Sequence, residues 1–211
     1  MPSSPRLSET SRVEAFSDGV FAIVLTLLVL DLLPGERAQT GEEVLAAWPR
    51  YLAFLIAFVT VGSIWLSHHS AFSRIRRVGP AALVLNLGLL LATSLAPWPT
   101  ALIAAGIGGR GDQERTGVLV YSAVTVLVGL AWILLQRHFA RRPALLERPE
   151  DAIWMRRNAR FSFGSVGVGV LGAALAFVAP IASIVLYLVV PGLFVVITLR
   201  ERERESDGSA A

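Results

Sequence analysis

RVEAFSDGVFAIVLTLLVLD, residues 12–31, holds an uncharged run from Gly19 to Leu30 closed at either end by Asp18 and Asp31. A helix crossing a bilayer needs about 20 mostly apolar residues to cover a hydrocarbon core roughly 30 Å thick. Gly19–Leu30 alone is too short, but Phe16–Leu33 reaches the required length. Arg12, Phe16 and Gly19 recur at helical spacing, and Ile23, Leu27 and Leu30 follow i, i+4, i+7, with Thr26 beside them. The segment therefore reads as a spanning helix with a continuous stripe along one face.

The rest of the chain repeats the pattern. Tyr51–Ser73, Val78–Gly109 and Thr116–Gln136 are uncharged runs, and Phe161–Leu199 is a fourth, too long for one crossing. Pro180 near its middle breaks the helical ladder and divides it in two around a turn at Ala179–Ile181. Six spanning helices are predicted, over about 8–33, 48–73, 79–106, 116–138, 158–179 and 181–200, with a short tail from 201 to 211. All belong to one membrane domain, all-α and polytopic. Within the tail, Arg200–Glu205 reads as the solvated end of the last helix and Ser206–Ala211 as disordered.

Composition agrees. Of 211 residues, 54% are hydrophobic and 17% charged; soluble domains carry roughly 45–50% and about 25%. The mean hydropathy is +0.61. Every basic residue is arginine, and nearly all of them flank apolar runs. The pI of about 10.1 is thus a topological signal, and no nucleic-acid partner is expected. With six crossings, both termini share a side that receives fifteen arginines, against four (Arg37, Arg50, Arg110 and Arg115) on the other. The positive-inside rule makes the arginine-rich side cytoplasmic. The Arg137–Arg160 stretch reads as a basic cytoplasmic loop lying on anionic headgroups. Ser165, Gly169 and Gly172 offer small-residue spacing for close helix packing. A cleaved leader is not expected from Met1–Glu14.

Candidate chemistry gathers at the cytoplasmic ends of helices one to three. Arg12, Ser17 and Asp18 lie on the first, Trp65, His68 and His69 on the second, and Asn86 about two turns inside the third. Ionisable groups in spanning segments are costly and usually face a protein interior or a water path. Adjacent His68 and His69 point about 100° apart on a helix and cannot grip one ion from the same face. Cysteine is absent, as are HExxH and GxSxG motifs, so no metal site or catalytic nucleophile is expected, and no enzyme. A polar network joining these groups satisfies donors and acceptors that would be costly to bury alone. The Ile23–Leu30 stripe reads either as ordinary packing or, if copies of the helix surround an axis, as rings of apolar side chains that gate conduction by dewetting.

R-x-x-x-F-S-D at Arg12–Asp18, W-x-x-H-H at Trp65–His69, Asn86 and the P-W-P-T of residues 97–100 together resemble the transmembrane protein 175 family, potassium-permeable channels of endolysosomes and bacterial membranes. The resemblance covers about the first hundred residues by motif and the remainder by helix count. It implies a cation channel without a TVGYG filter, which this chain lacks, and with a pore lined by helix one of a homotetramer. Ile23 would then form the narrowest ring, Leu27 and Leu30 the apolar lining, and Thr26 a hydroxyl layer. Arg12, Phe16, Ser17, Asp18, Trp65, His68 or His69, and Asn86 would hold the pore helices in place. Asp31, with Glu36, Glu42 and Glu43, would concentrate cations at the outer mouth. The implied partners are potassium ions, the bilayer of a bacterial inner membrane and further copies of the chain. No cofactor is implied beyond potassium as permeant ion. The rival reading is a proton-coupled transporter or proton-conducting channel using Asp18 and the His68/His69 pair.

Overall fold

The computed structural model describes residues 9–32, 40–107 and 111–208. Among these residues the chain is helical apart from its turns and one isolated bridge. The elements are α1 (Glu9–Leu27), α2 (Gly41–Ala46), α3 (Trp48–Phe72), α4 (Pro80–Ser94), α5 (Pro97–Gly106), α6 (Gly111–Ala140), α7 (Asp151–Leu175) and α8 (Pro180–Gly208). Proline places several of the starts. Pro80, Pro97 and Pro180 open α4, α5 and α8, where a missing N–H costs nothing because the first turn has no partner for it. The short α2 is closed by a capping box: Glu43 N–H donates to Thr40 Oγ1 (3.3 Å), and Thr40 N–H donates to Glu43 Oε2 (3.1 Å).

Several boundaries differ from those read off the sequence. The α-helix of α1 stops at Leu27 and tightens into a 3-10 segment, Leu28–Leu32, a common ending of a helix. The third predicted helix is two, because Pro97 cannot donate back into the preceding turn and the chain resets at Leu95–Ala96. The expected basic loop 137–160 is much shorter. α6 runs on to Ala140, and α7 begins at Asp151, so Arg156, Arg157 and Arg160 stand on three helical turns. Ala152, Met155, Ala159 and Ser162 hold those turns against the protein, all buried at i, i+3, i+7, i+10 spacing. α8 continues as helix to Gly208, three residues into the stretch read from the sequence as disordered; residues 209–211 lie outside the described set.

Among the described residues, five segments are long and apolar enough to cross a membrane: Thr10–Leu30, Trp48–Phe72, Pro80–Gly106, Asp112–Ala140 and Pro180–Ile197. α7 is not among them, although it has 25 residues. Its first half carries three arginines, and glycines dilute the remainder.

α1 packs on α3 and α4, while α6 is the hub, touching α4, α5, α7 and α8. The polar turns after α3 and α6 are clasped together. Arg76 and Arg77 donate backbone N–H groups to Leu145 O (2.9 and 3.1 Å), and Glu147 N–H donates to Arg74 O (2.9 Å). Arg74 also stands 3.8 Å from Asp151 and over the Trp154 ring. Thr10 Oγ1 donates to Arg76 O (2.9 Å), tying the start of α1 to the same clasp.

Glycine sets the approach of α6 to α7. A Cβ on Gly169 would stand 3.1 Å from the Ser122 carbonyl oxygen and 2.7 Å from Val126 Cγ2, and one on Gly129 would stand 2.8 Å from Val166 Cγ2. Such contacts let two backbones meet closely, which is how helices associate where apolar solvent offers no hydrophobic drive. Gly164, on the same helix, has open space around its Cβ direction. Gly169→Leu is expected to destabilise the fold by about 1–3 kcal/mol through overpacking. Gly164→Ala is expected to be neutral or stabilising by up to about 1 kcal/mol. Thermal melts of the two variants in detergent check the pair.

Candidate functional site

α1 presents two different faces. Ser17, Phe21, Val24 and Leu28 recur at i, i+4, i+7, i+11 and are buried, Phe21 and Val24 against Val61 of α3 and Leu90 of α4. Phe16, Ile23 and Leu30 lie on the other face, 56%, 60% and 58% exposed, with Leu27 and Thr26 also open. Thr26 Oγ1 donates to Ile23 O (2.8 Å), leaving the threonine methyl and the oxygen lone pairs on the open side.

A chain of hydrogen bonds holds the buried face. Asn86 of α4 is 2% exposed and uses both ends of its amide. Its Nδ2 donates to Ser17 Oγ (2.9 Å), and its Oδ1 accepts from His68 Nε2 (3.0 Å). Ser17 Oγ donates in turn to Val13 O (2.8 Å). Because the amide oxygen can only accept, the His68 proton resides on Nε2. The ring is wholly buried, stacked on Phe72 at 4.0 Å between centroids, parallel to Trp132 beyond, and met edge-on by Phe21.

A second, more exposed pair of bonds runs alongside. Trp65 Nε1 donates to Asp18 Oδ1 (2.9 Å), and His69 Nδ1 meets Glu14 Oε1 at 3.2 Å. Trp65 and His69 are stacked on α3, four residues apart, facing Glu14 and Asp18 four residues apart on α1. The 100° between His68 and His69 thus sends one ring inward to Asn86 and the other outward to Glu14. Both histidines serve, on different partners.

The residues read from the sequence divide accordingly. Ser17, Asp18, Trp65, His68, His69 and Asn86 are brought together. Glu14 joins them, although the sequence reading did not count it among the candidate residues. Arg12 and Phe16 are not drawn into the bonded set. They line an open groove of about 660 Å³ between α1 and α4, with Val13, Val78, Leu83 and Leu87. Arg12 has no hydrogen bond or ion pair among the described residues. Asp31 stands in the 3-10 segment, its side chain outside the described set; Glu36 lies outside the described residues altogether. Glu43 caps α2.

A protein from Streptomyces collinus, named a potassium channel, is 40% identical over 177 residues, covering 82% of this chain and 84% of that one. The chain belongs to the TMEM175 family. The family model described as the endosomal/lysosomal potassium channel TMEM175 matches residues 12–97, a segment that runs from Arg12 past Asn86 and contains every bond just described. The human endosomal/lysosomal proton channel TMEM175 is 42% identical over 96 residues, which cover 40% of this chain and 18% of the human one. Among solved structures, a lysosomal potassium-selective channel TMEM175 homolog from Chamaesiphon minutus superposes with a TM-score of 0.76 at 30% identity, over 89% of this chain and 97% of that one. The potassium channel MtTMEM175, as its T38A variant, shares the fold with a TM-score of 0.65 at 19% identity.

The TMEM175 segment holds its most consequential polar group at Asn86. Replacing it with an apolar side chain strands the His68 donor in a dry site, at about 1–3 kcal/mol for a group left unpaired, and leaves the Ser17 hydroxyl with only its bond to Val13 O. Asn86→Leu is expected to lower thermal stability in detergent well below that of Trp65→Phe, which gives up one exposed bond. Equal melting temperatures for the two variants would contradict this ordering.

Proposed function

We propose that the chain is a potassium-permeable channel that conducts passively through a central pore lined by α1 of a homotetramer, with a hydrophobic constriction at Ile23 in place of a carbonyl filter. The observation that carries the proposal is the division of α1. One face is bonded and packed into its own subunit, and the other leaves Ile23, Thr26, Leu27 and Leu30 open. The bacterial relatives named potassium channels, matched over most of their length, support the same reading.

In this arrangement four Ile23 side chains form the narrowest ring. A narrow apolar ring excludes water and blocks ions; a slightly wider one admits a partly hydrated ion. Partial dehydration favours the larger, more weakly hydrated cation. Thr26 adds a hydroxyl layer one turn beyond, Leu27 and Leu30 continue the lining, and Asp31 draws cations to the outer mouth. The bonds from Ser17 and Asp18 hold each pore helix by its cytoplasmic end, so the ring has a fixed orientation. Arg12 and Phe16 sit at the inner entrance.

Six crossings with both termini cytoplasmic, in a bacterial inner membrane, complete the reading. α7 packs along α6 and contacts α8. An antiparallel helix of 25 residues lying along a spanning one crosses with it, and its arginines then fall on the arginine-rich side. Proton conduction through the same pore is a second reading, supported by the animal relatives named proton channels and by the histidines beside α1.

Reconstitution into liposomes tests the proposal. The purified protein is expected to carry potassium current that follows the electrochemical gradient alone, with a reversal potential displaced towards potassium when sodium replaces it on one side. Saturating flux that requires a coupling ion would contradict a channel. Ile23→Asn is expected to raise conductance severalfold for several cations and to reduce discrimination between them. Unchanged current and selectivity would remove Ile23 as the constriction.

A further inference from the structure

The outer surface of the α6–α7 pair lies away from α1, which packs on α3 and α4. It carries a charge pattern that the pore does not use. On α6, Leu130 and Leu134 are exposed, and the same face continues into Arg137 and Arg141. On α7, running the other way, Arg156 and Arg160 are exposed and lead at i, i+4, i+7 into exposed Phe163. Each helix therefore changes from arginine to apolar side chains within one turn. The two changes coincide in space, because the Arg137 guanidinium lies over the Phe163 ring, 5.3 Å from its centroid.

None of these four arginines has an ion pair among the described residues. The nearby carboxylate of Asp151 is turned away, to Arg74 (3.8 Å) and to the backbone N–H of Arg148 (3.2 Å). Four uncompensated guanidiniums thus face outward directly above an apolar strip. Guanidinium forks match phosphate oxygens in pairs, and a ring beneath the guanidinium both supports it and offers surface to an alkyl chain.

We propose that this face is a binding site for an anionic phospholipid, its phosphate held by Arg137, Arg156 and Arg160 and its acyl chain laid over Leu134 and Phe163. Charge complementarity and the shared height of the two boundaries select a lipid, since a soluble anion would leave the apolar strip unused. The bound lipid bridges α6 and α7 at the end where Ser162 Oγ donates to Gln136 Oε1 (3.3 Å) and the ten-residue connection 141–150 joins the two helices. The site requires a chain embedded in a bilayer and is independent of which helix lines the pore.

Native mass spectrometry of the purified protein, titrated with phosphatidylglycerol or phosphatidylcholine, tests it. Phosphatidylglycerol is expected to remain bound and phosphatidylcholine to be lost. Arg137→Gln/Arg156→Gln/Arg160→Gln is expected to weaken phosphatidylglycerol binding at least about ten-fold, since each arginine near an anionic surface contributes measurably, and Arg137→Gln alone to weaken it by less. Arg76→Gln/Arg77→Gln, which removes two exposed arginines from the turn after α3, across the clasp at Leu145, is expected to leave retention within about two-fold of wild type. Equal retention of both lipids, an unaffected triple variant, or equal losses in the clasp variant would each overturn the site.

Discussion

The amide of Asn86 sets the geometry on which the rest depends. Buried between α1, α3 and α4, it can satisfy its donor only on Ser17 and its acceptor only on His68. Rotating α1 by a single residue, about 100°, would carry Ser17 out of reach and leave the amide donor unpaired in an apolar site, while the bond to His68, which joins α3 to α4, would remain. Hydrophobic packing of Phe21 and Val24 alone tolerates such slippage far better, because apolar contacts have no direction. The polar trio fixes which face of α1 is inward, and therefore which face, with Ile23 at its centre, is outward.

The remaining helices hold that arrangement rigid. The clasp of the two polar turns catches α1 through Thr10, so the first helix is tied at its start as well as along its buried side. On the far side of α6, the glycine contacts with α7 bring two backbones together where side chains would hold them apart. Beyond this packing, a buried tyrosine cluster joins three helices. Tyr121 bonds Thr60 at 3.1 Å and stacks near Tyr187, whose hydroxyl meets Ser122 at 2.5 Å. Buried polar groups in a spanning bundle pair with one another, and here the bonded sets lie at both ends of it, while His68 Nδ1 and Gln136 Nε2 find no partner among the described residues.

Much of this was legible in the chain itself. The apolar runs located the long helices, and the polar residues of α1, α3 and α4 were identifiable as costly groups in need of partners. Which of them met was harder to see, because a motif groups residues by adjacency and a helix separates them by angle. Phe16 and Ser17 are neighbours in the motif and lie on different faces of α1. Glu14 carried a usable signal: it stands four residues before Asp18, as Trp65 stands four before His69, so two antiparallel helices could pair them in register. The early start of α7 was also encoded, in the spacing of Ala152, Met155, Ala159 and Ser162. It was masked by arginines that read as a loop, and a charged outer face says nothing against a helix whose inner face is small and apolar. What surrounds the open face of α1 was not legible from one copy's periodicity, since lipid and an identical neighbour both accept leucine and isoleucine.

The chain has no cysteine, which allows one direct measurement of that last point. With Ile23→Cys as the sole thiol, a water-soluble, membrane-impermeant methanethiosulfonate is applied during current recording from reconstituted protein. If α1 copies enclose the conduit, current is expected to be altered progressively and irreversibly. Oxidation should also yield disulfide-linked dimers. Labelling only by lipid-soluble maleimides, with current untouched and no cross-link, would place this helix at the periphery and contradict the account.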